Sequence, residues 1–233
     1  MGPKGKTAIV TGSGKGIGEG IATEPRWPVA LAILALLLLL AALPGRVRLL
    51  PWWTPYAIGI GFLLPMAAVR LTGAKPGWVR IERATMLLFA LFAEGTVLTT
   101  LAYLIREMLG RPGGLSGMQL LTTSIGGWVT NVIVFSLVYW RIDRGGPEAR
   151  ASDAGVRPDW LFPQTGAPEE APPDWRPTYV DYLFLGYSTA TAFSPTDALP
   201  LTSRAKMLML LESAVSLTTL VVVAARAINI LGS

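Results

Sequence analysis

The sequence has no cysteine, no histidine and few charged residues. Without cysteine the chain lacks disulfides, thiolate metal sites and a cysteine nucleophile. Without histidine it also lacks the commonest general base and metal ligand. Charged residues make up 15% of the 233 positions, against about a quarter in soluble globular domains. These absences argue against most hydrolytic and metal-dependent enzymes, and against a soluble fold.

Apolar residues are abundant instead. They make up 52% of the chain, and the mean hydropathy is +0.48. They form runs close to the length of about 20 residues that crosses a bilayer as a helix. We therefore predict an all-α integral membrane bundle with about five transmembrane helices and one re-entrant segment, multi-pass in the cell membrane. The predicted spans are residues 28–43, 52–69, 84–105, 120–140 and 206–230. A signal peptide is the alternative for the first run, but no small-x-small cleavage motif follows Leu43.

The chain divides into four parts by composition. A glycine-rich start covers 1–23, a membrane region 24–141, a polar linker 142–178, and a short apolar segment with the last span 179–233. In the linker Trp160, Phe162 and Trp175 are candidate docking contacts for a partner protein.

The net charge of +5 comes from basic residues at the ends of the apolar runs. This distribution predicts a lipid bilayer, and not nucleic acid, as the partner. The loop at 70–83 carries the densest basic cluster, and by parity of the spans Arg141, Arg144 and Arg150 lie on the same side. The positive-inside rule places this side at the cytoplasm, together with residues 179–200.

The glycine-rich start reads TGSGKGIG at 11–18. This string resembles the TGxxxGIG fingerprint of short-chain dehydrogenases, in which glycines let the backbone approach the pyrophosphate of a dinucleotide. The resemblance assigns cofactor contacts to Gly12, Gly16 and Gly18. Pro25 and Pro28 end the following helix before a βαβ unit can form.

The catalytic pair of that family, a tyrosine followed four residues later by lysine, is missing from the chain. We therefore predict a non-functional fragment, no enzyme activity and no bound cofactor or metal. A nicotinamide-dependent oxidoreductase is the remaining alternative for this segment.

The stretch YSTATAFSPTDALPLTSRAKMLMLLE at 187–212 resembles the pore module of two-helix potassium channels. That module has a short pore helix, a filter that ends in aspartate, a Pro-x-Thr step and an inner helix. The resemblance assigns the end of the pore helix to Thr189 and Thr191, and the start of the inner helix to a segment with Glu212. It assigns the filter to Phe193, Ser194, Pro195, Thr196 and Asp197. It implies a homo-oligomer with a monovalent cation as its ligand.

The filter departs from the potassium-channel signature because it contains no glycine. Carbonyl rings in such a filter use positive φ angles that glycine adopts freely. Ser194 and Thr196 meet a steric cost in that conformation, and Pro195 fixes its own φ. We predict a re-entrant turn without potassium-type selectivity.

Residues 24–233 also resemble a family of uncharacterised bacterial integral membrane proteins. The strings TNVIVFSLVYWRIDRGGP, PDWLFPQ, APPDW and YSTATAFSPTD carry this likeness. It implies a multi-pass architecture and no particular activity.

Glu94 lies within the third predicted span and Glu212 within the last. Ionisable groups at membrane depth are costly and commonly face the bundle interior. One interpretation is a proton or cation path lined by Glu94, Thr96, Thr99 and Glu212. The other is helix–helix hydrogen bonding, shared with Thr122, Thr123, Ser124 and Asn131.

Three further charged residues mark the end of the chain. Arg226, near the end of the last span, can reach the interface or pair with a carboxylate. Asp181 and Asp197 flank the re-entrant stretch, where they can attract cations or cap short helices. Two functional hypotheses remain: a degenerate pore-loop protein that binds or passes a cation, and a non-conducting membrane scaffold.

Overall fold

A computed structural model describes residues 24–42, 51, 53–72, 75–109, 117–152, 155–173, 175–191 and 198–231. These residues are mostly helical. The main helices are α1 (Trp27–Ala42), α2 (Thr54–Leu71), α3 (Pro76–Leu109), α4 (Gly117–Ile142), α7 (Tyr179–Thr191) and α8 (Ser203–Leu231). The polar linker contains the short helices α5 (Pro147–Ala151) and α6 (Pro163–Gly166) and the strand β1 (Trp160–Leu161), while the strand β2 (Leu199–Pro200) lies between α7 and α8.

Each predicted span coincides with one helix. Within the described residues, three helices are long and apolar enough to cross a membrane, namely α3, α4 and α8, while α1 and α2 are shorter apolar helices. The largest boundary difference is at α3, which begins at Pro76 and not at residue 84. Proline fits the first turn of a helix, where its missing N–H costs nothing.

Helix α4 lies at the centre of the bundle and packs against α3, α7, α8 and α1. Helix α1 shows how the apolar runs divide their faces. Val29, Ile33 and Leu36 are buried against the bundle, whereas Leu34 and Leu38 point outward. A helix that is apolar on both its packed and its exposed face is typical of a membrane environment.

The polar linker folds back onto the end of the bundle. Strand β1 pairs antiparallel with β2, with Trp160 opposite Pro200. The fully buried Trp160 ring lies 4.7 Å from the ring of Tyr139, and its Nε1 donates to the sulfur of Met209 at 3.3 Å. Phe162 is also buried, and Trp175 packs against it. These aromatic side chains therefore contact their own chain.

Helix α7 begins with one half of a capping box, in which a carboxylate of the first turn accepts from the residue before the helix. The backbone N–H and the hydroxyl of Thr178 donate to Oδ2 of Asp181 at 2.7 and 2.9 Å. Asp181 thus serves as a helix cap, which is one of its two predicted roles.

We expect Asp181→Ala to lower the free energy of unfolding by about 1 kcal/mol, because two donors at the helix start lose their acceptor. Thermal unfolding in detergent measures this change. Asp181→Glu is the control, since it keeps a carboxylate at the capping position and should remain close to the unmodified protein. Equal losses for the two variants would show that the cap does not matter.

Candidate functional site

An ion-pair cluster joins the helix ends at one end of the bundle. Its members are Glu24, Arg26, Glu82, Arg141, Glu148, Arg150, Asp159 and Arg204. Glu148 is shared between Arg26 at 2.5 Å and Arg141 at 2.9 Å. Glu24 accepts from the indole of Trp140 at 2.8 Å and from the backbone N–H of Tyr179 at 2.7 Å. The cluster therefore fixes the starts of α1, α3 and α7 to the end of α4.

Asp143 is the fully buried centre of the linker attachment. Its Oδ1 accepts from the backbone N–H of Asp159 at 2.7 Å, and its Oδ2 accepts from the hydroxyl of Tyr182 at 2.5 Å. Burial raises the pKa of Tyr182, so this hydroxyl keeps its proton and remains a donor. Asp159 in turn accepts from Nε of Arg204 at 2.7 Å and from the hydroxyl of Thr202 at 2.6 Å.

These contacts place both ends of the 179–200 segment at the same end of the bundle. Tyr179 is tied there by Glu24, and Leu199–Pro200 is tied there by β1. Helix α7 therefore runs from the ion-pair cluster into the bundle, and the chain comes back to that cluster before α8 begins.

Deeper in the bundle lies the buried carboxylate site, made of Glu94, Asn131, Tyr139, Glu212 and Ser216. Glu212 is fully buried, and its Oε2 accepts from the hydroxyl of Tyr139 at 2.5 Å. Asn131 bridges α4 to α8 by donating to the hydroxyl of Ser216 at 2.8 Å and to the carbonyl of Glu212 at 3.2 Å.

Several oxygens of the buried carboxylate site have no hydrogen-bond partner. They are both carboxylate oxygens of Glu94, Oε1 of Glu212 and Oδ1 of Asn131. Glu94 is only 8% exposed and belongs to α3, which packs against α8. None of the ion pairs among the described residues involves either glutamate. The site therefore contains acceptor oxygens that neither receive a hydrogen bond nor pair with a positive charge.

Gly186 brings α7 against this site. A Cβ atom added at Gly186 would lie 2.5 Å from Oγ of Ser136, 3.1 Å from the carbonyl of Val132 and 3.3 Å from Oε1 of Glu212. Only a residue without a side chain allows such a close approach. Oε1 of Glu212 therefore faces the seam between α4, α7 and α8.

The carboxyl end of α7 is held against α8 one turn farther along. The hydroxyl of Ser213 donates to the carbonyl of Thr189 at 3.2 Å. The hydroxyls of Thr189 and Thr191 donate to their own helix, to the carbonyls of Leu185 and Tyr187, at 2.8 Å each. The structure thus places both predicted threonines at the inner end of α7, beside the residue that follows Glu212.

Comparison with known proteins adds no relative. No family model, curated protein or solved structure matches this chain. The likenesses to a potassium-channel pore, to a dehydrogenase start and to bacterial membrane proteins therefore stay predictions. The site has to be interpreted from its own geometry.

Several predicted site residues lie outside the described residues. They are the filter positions Phe193, Ser194, Pro195, Thr196 and Asp197, and the glycines Gly12, Gly16 and Gly18. The backbone of Arg226 belongs to α8, but its side chain is not described. Within the described residues, no three acidic side chains come together as a metal-binding group.

The hydrogen bonds of the intramembrane polar residues bear on their two interpretations, a proton or cation path and helix–helix hydrogen bonding. The hydroxyls of Thr96, Thr99, Thr122 and Ser124 donate to carbonyls of their own helices. Asn131 and Glu212 do make helix–helix hydrogen bonds of the kind that the second interpretation requires, Asn131 to Ser216 and Glu212 from Tyr139. Both carboxylate oxygens of Glu94 and Oε1 of Glu212 have no hydrogen-bond partner, so helix–helix hydrogen bonding accounts for Oε2 of Glu212 but not for these three oxygens.

Tyr139 and Trp140 end the fourth apolar run, a position at which aromatic residues commonly lie at the membrane surface. Both side chains are fully buried. Tyr139 binds Glu212 and Trp140 binds Glu24, so each indole or phenol finds its polar partner inside the protein. The carboxylate within the last apolar run was the one available signal, because such a group calls for a buried donor nearby.

Proposed function

We propose that the protein is a multi-pass membrane protein with five spanning helices and one re-entrant segment, and that its interior binds or passes a monovalent cation. The observation that carries the proposal is the set of unpartnered oxygens on Glu94 and Glu212. Buried carboxylates without a counter-charge are costly in a membrane interior and mark ion sites there. A small cation held between them supplies the missing charge.

The path of α7 supports the re-entrant part of the proposal. A helix of 13 residues spans about 20 Å, less than the roughly 30 Å of a bilayer core. Both ends of the 179–200 segment lie at the ion-pair cluster, which favours entry and exit on one side of the membrane. A segment that enters the membrane without crossing it requires protein or water around it, and α4 and α8 pack against α7.

The polarity of α7 supports a cation and not an anion as the ligand. The carboxyl end of a helix carries partial negative charge. In transporters, such half-helix ends coordinate cations near the middle of the membrane. Here the carbonyl of Thr189, in the last turn of α7, meets Ser213, the neighbour of Glu212.

The face of α8 that points away from the bundle supports assembly into a homo-oligomer. Of the three long helices, α8 is the least covered by its own chain. Met207, Leu210, Leu217 and Val221 are exposed along it. A pore module assembles around an axis, and a closed ring of copies in detergent would agree with this arrangement.

The scaffold alternative has less support. Its candidate docking residues Trp160 and Phe162 are buried within their own chain, and Trp175 packs on Phe162. A partner would have to displace the linker from the bundle before it could reach them.

We expect Glu212→Gln and Glu94→Gln each to weaken Na⁺ or Rb⁺ binding by about ten-fold or more, because each removes one of the charges that hold the ion. Equilibrium binding of the radiolabelled ions in detergent measures the loss, and uptake into proteoliposomes tests passage. Glu170→Gln makes the same chemical change at an exposed linker position and should leave binding unchanged. The proposal fails if the unmodified protein binds neither ion, or if both interior variants bind as it does.

A further inference from the structure

A second site lies on the ion-pair cluster side, in a pocket between the end of α4 and the linker. Arg144, Arg150 and Arg176 line this arginine pocket, with Val156 and Pro177 at its edge. Its volume is about 50 Å³. One water needs roughly 10–15 Å³ of such space, so the pocket has room for one tetrahedral oxyanion.

The charges around the arginine pocket do not balance. Arg150 pairs with Glu24, but Arg144 and Arg176 have no carboxylate partner among the described residues. Nη1 of Arg176 donates to the carbonyls of Arg150 and Ala151 at 2.8 and 2.9 Å, which fixes the guanidinium without neutralising it. The pocket therefore keeps a surplus of positive charge.

Two donors of the arginine pocket have no acceptor. Nε of Arg144 and Nε of Arg150 are both buried without a hydrogen-bond partner, and Arg150 as a whole is only 7% exposed. Guanidinium donors bind phosphate oxygens well, because their planar fork matches the geometry of the anion. A buried donor left unsatisfied costs free energy that such an oxygen would recover.

The backbone of Arg144 adopts a conformation that is unfavourable for a residue with a side chain. Its φ is 51°, in the left-handed region, and it is followed by Gly145 and Gly146 with φ of 81° and 102°. A non-glycine residue in that region is sterically unfavourable, because its Cβ crowds the following carbonyl oxygen. The turn nevertheless directs Arg144 to the pocket that Arg150 and Arg176 also line.

We propose that the arginine pocket binds a phosphate-type oxyanion, supplied in the membrane by the headgroup of an anionic phospholipid. Arg144 lies two residues beyond the end of α4, which favours a position of the pocket at the membrane surface. The basic loops favour the cytoplasmic side for this end, and the cytoplasmic leaflet is rich in anionic lipid. The inference rests on the proposed membrane location but not on cation passage.

The test is thermal unfolding of the detergent-solubilised full chain with added phosphatidylglycerol, phosphatidylcholine or inorganic phosphate. We expect phosphatidylglycerol to raise the unfolding temperature and phosphatidylcholine to leave it unchanged. Arg144→Gln should weaken this response by about ten-fold in ligand concentration. It removes a charged donor and breaks no hydrogen bond recorded for that side chain among the described residues.

Two further variants sharpen the test. The pair Arg144→Gln with Arg176→Gln should abolish the response to phosphatidylglycerol. Arg80→Gln removes the same charge from an exposed position of α3 at the same end, and should respond like the unmodified protein. Na⁺ binding through Glu94 and Glu212, measured on the same samples, reports on the proposed function separately.

Each outcome decides one point. If inorganic phosphate raises the unfolding temperature as much as phosphatidylglycerol does, the result supports an oxyanion pocket whose ligand is free phosphate. A response to phosphatidylglycerol alone supports the lipid headgroup. The proposal is overturned if neither ligand stabilises the unmodified protein, or if the double variant responds as strongly as Arg80→Gln.

Discussion

Replacing Asp143 with alanine is expected to lower the free energy of unfolding by about 3–5 kcal/mol, because three buried donors lose their acceptor at once. The donors are the hydroxyl of Tyr182 and the backbone N–H groups of Asp159 and Trp160. Asp143 binds both the linker, through Asp159, and α7, through Tyr182. The loss of these hydrogen bonds therefore weakens the attachment of both the linker and α7 to the bundle.

Unfolding in mixed detergent micelles measures this effect, and limited proteolysis of the linker measures the local release. Asp143→Asn is the matched control, since its amide oxygen still accepts from the two backbone N–H groups. We expect it to lose much less stability than the alanine variant. An alanine variant as stable as the unmodified protein, with a protected linker, would contradict the role given to Asp143.

Gly186→Leu is expected to cost about 3 kcal/mol, at the upper end of overpacking effects in tight interiors. Even the first atom of the new side chain would lie 2.5 Å from Oγ of Ser136. That hydroxyl is held by the carbonyl of Val132 at 2.6 Å and so has little freedom to move away. Helix α7 must then shift from α4, which also opens the seam beside Glu212.

Three comparison variants isolate the packing effect. Gly186→Ala should be destabilising even though alanine favours helices over glycine by about 1 kcal/mol. Adding Ser136→Ala to Gly186→Ala should restore part of the stability, since the closest clash disappears. Gly95→Ala, where an added Cβ meets no atom within 4 Å, should be neutral or stabilising. A neutral Gly186→Ala would show that the seam is looser than its geometry indicates.

The helices of this protein were predictable because apolar runs of the right length determine them. The start of α3 was missed since residues 76–83 mix Arg and Glu with apolar residues, which masks an amphipathic turn at the ion-pair cluster. Glu94 and Glu212 were recognisable as site residues because a carboxylate within an apolar run is costly.

Their partners were not predictable in the same way. Tyr139 meets Glu212 across 73 positions of sequence, and Asn131 meets Ser216 across 85. Such contacts depend on how each helix is rotated about its axis. Runs of Leu and Val are apolar on every face, so they do not determine that rotation. Gly186 was similarly hidden, because a close approach to another backbone leaves no mark on the sequence beyond the glycine itself.

The position of Glu24 has a consequence for how the chain assembles. It binds Tyr179, 155 positions later, and Arg150, 126 positions later. Contacts between such distant positions form late in folding, because closing the long loops between them costs conformational entropy. During synthesis, the carboxylate of Glu24 therefore stays without its partner Arg150 until 126 further residues have followed it.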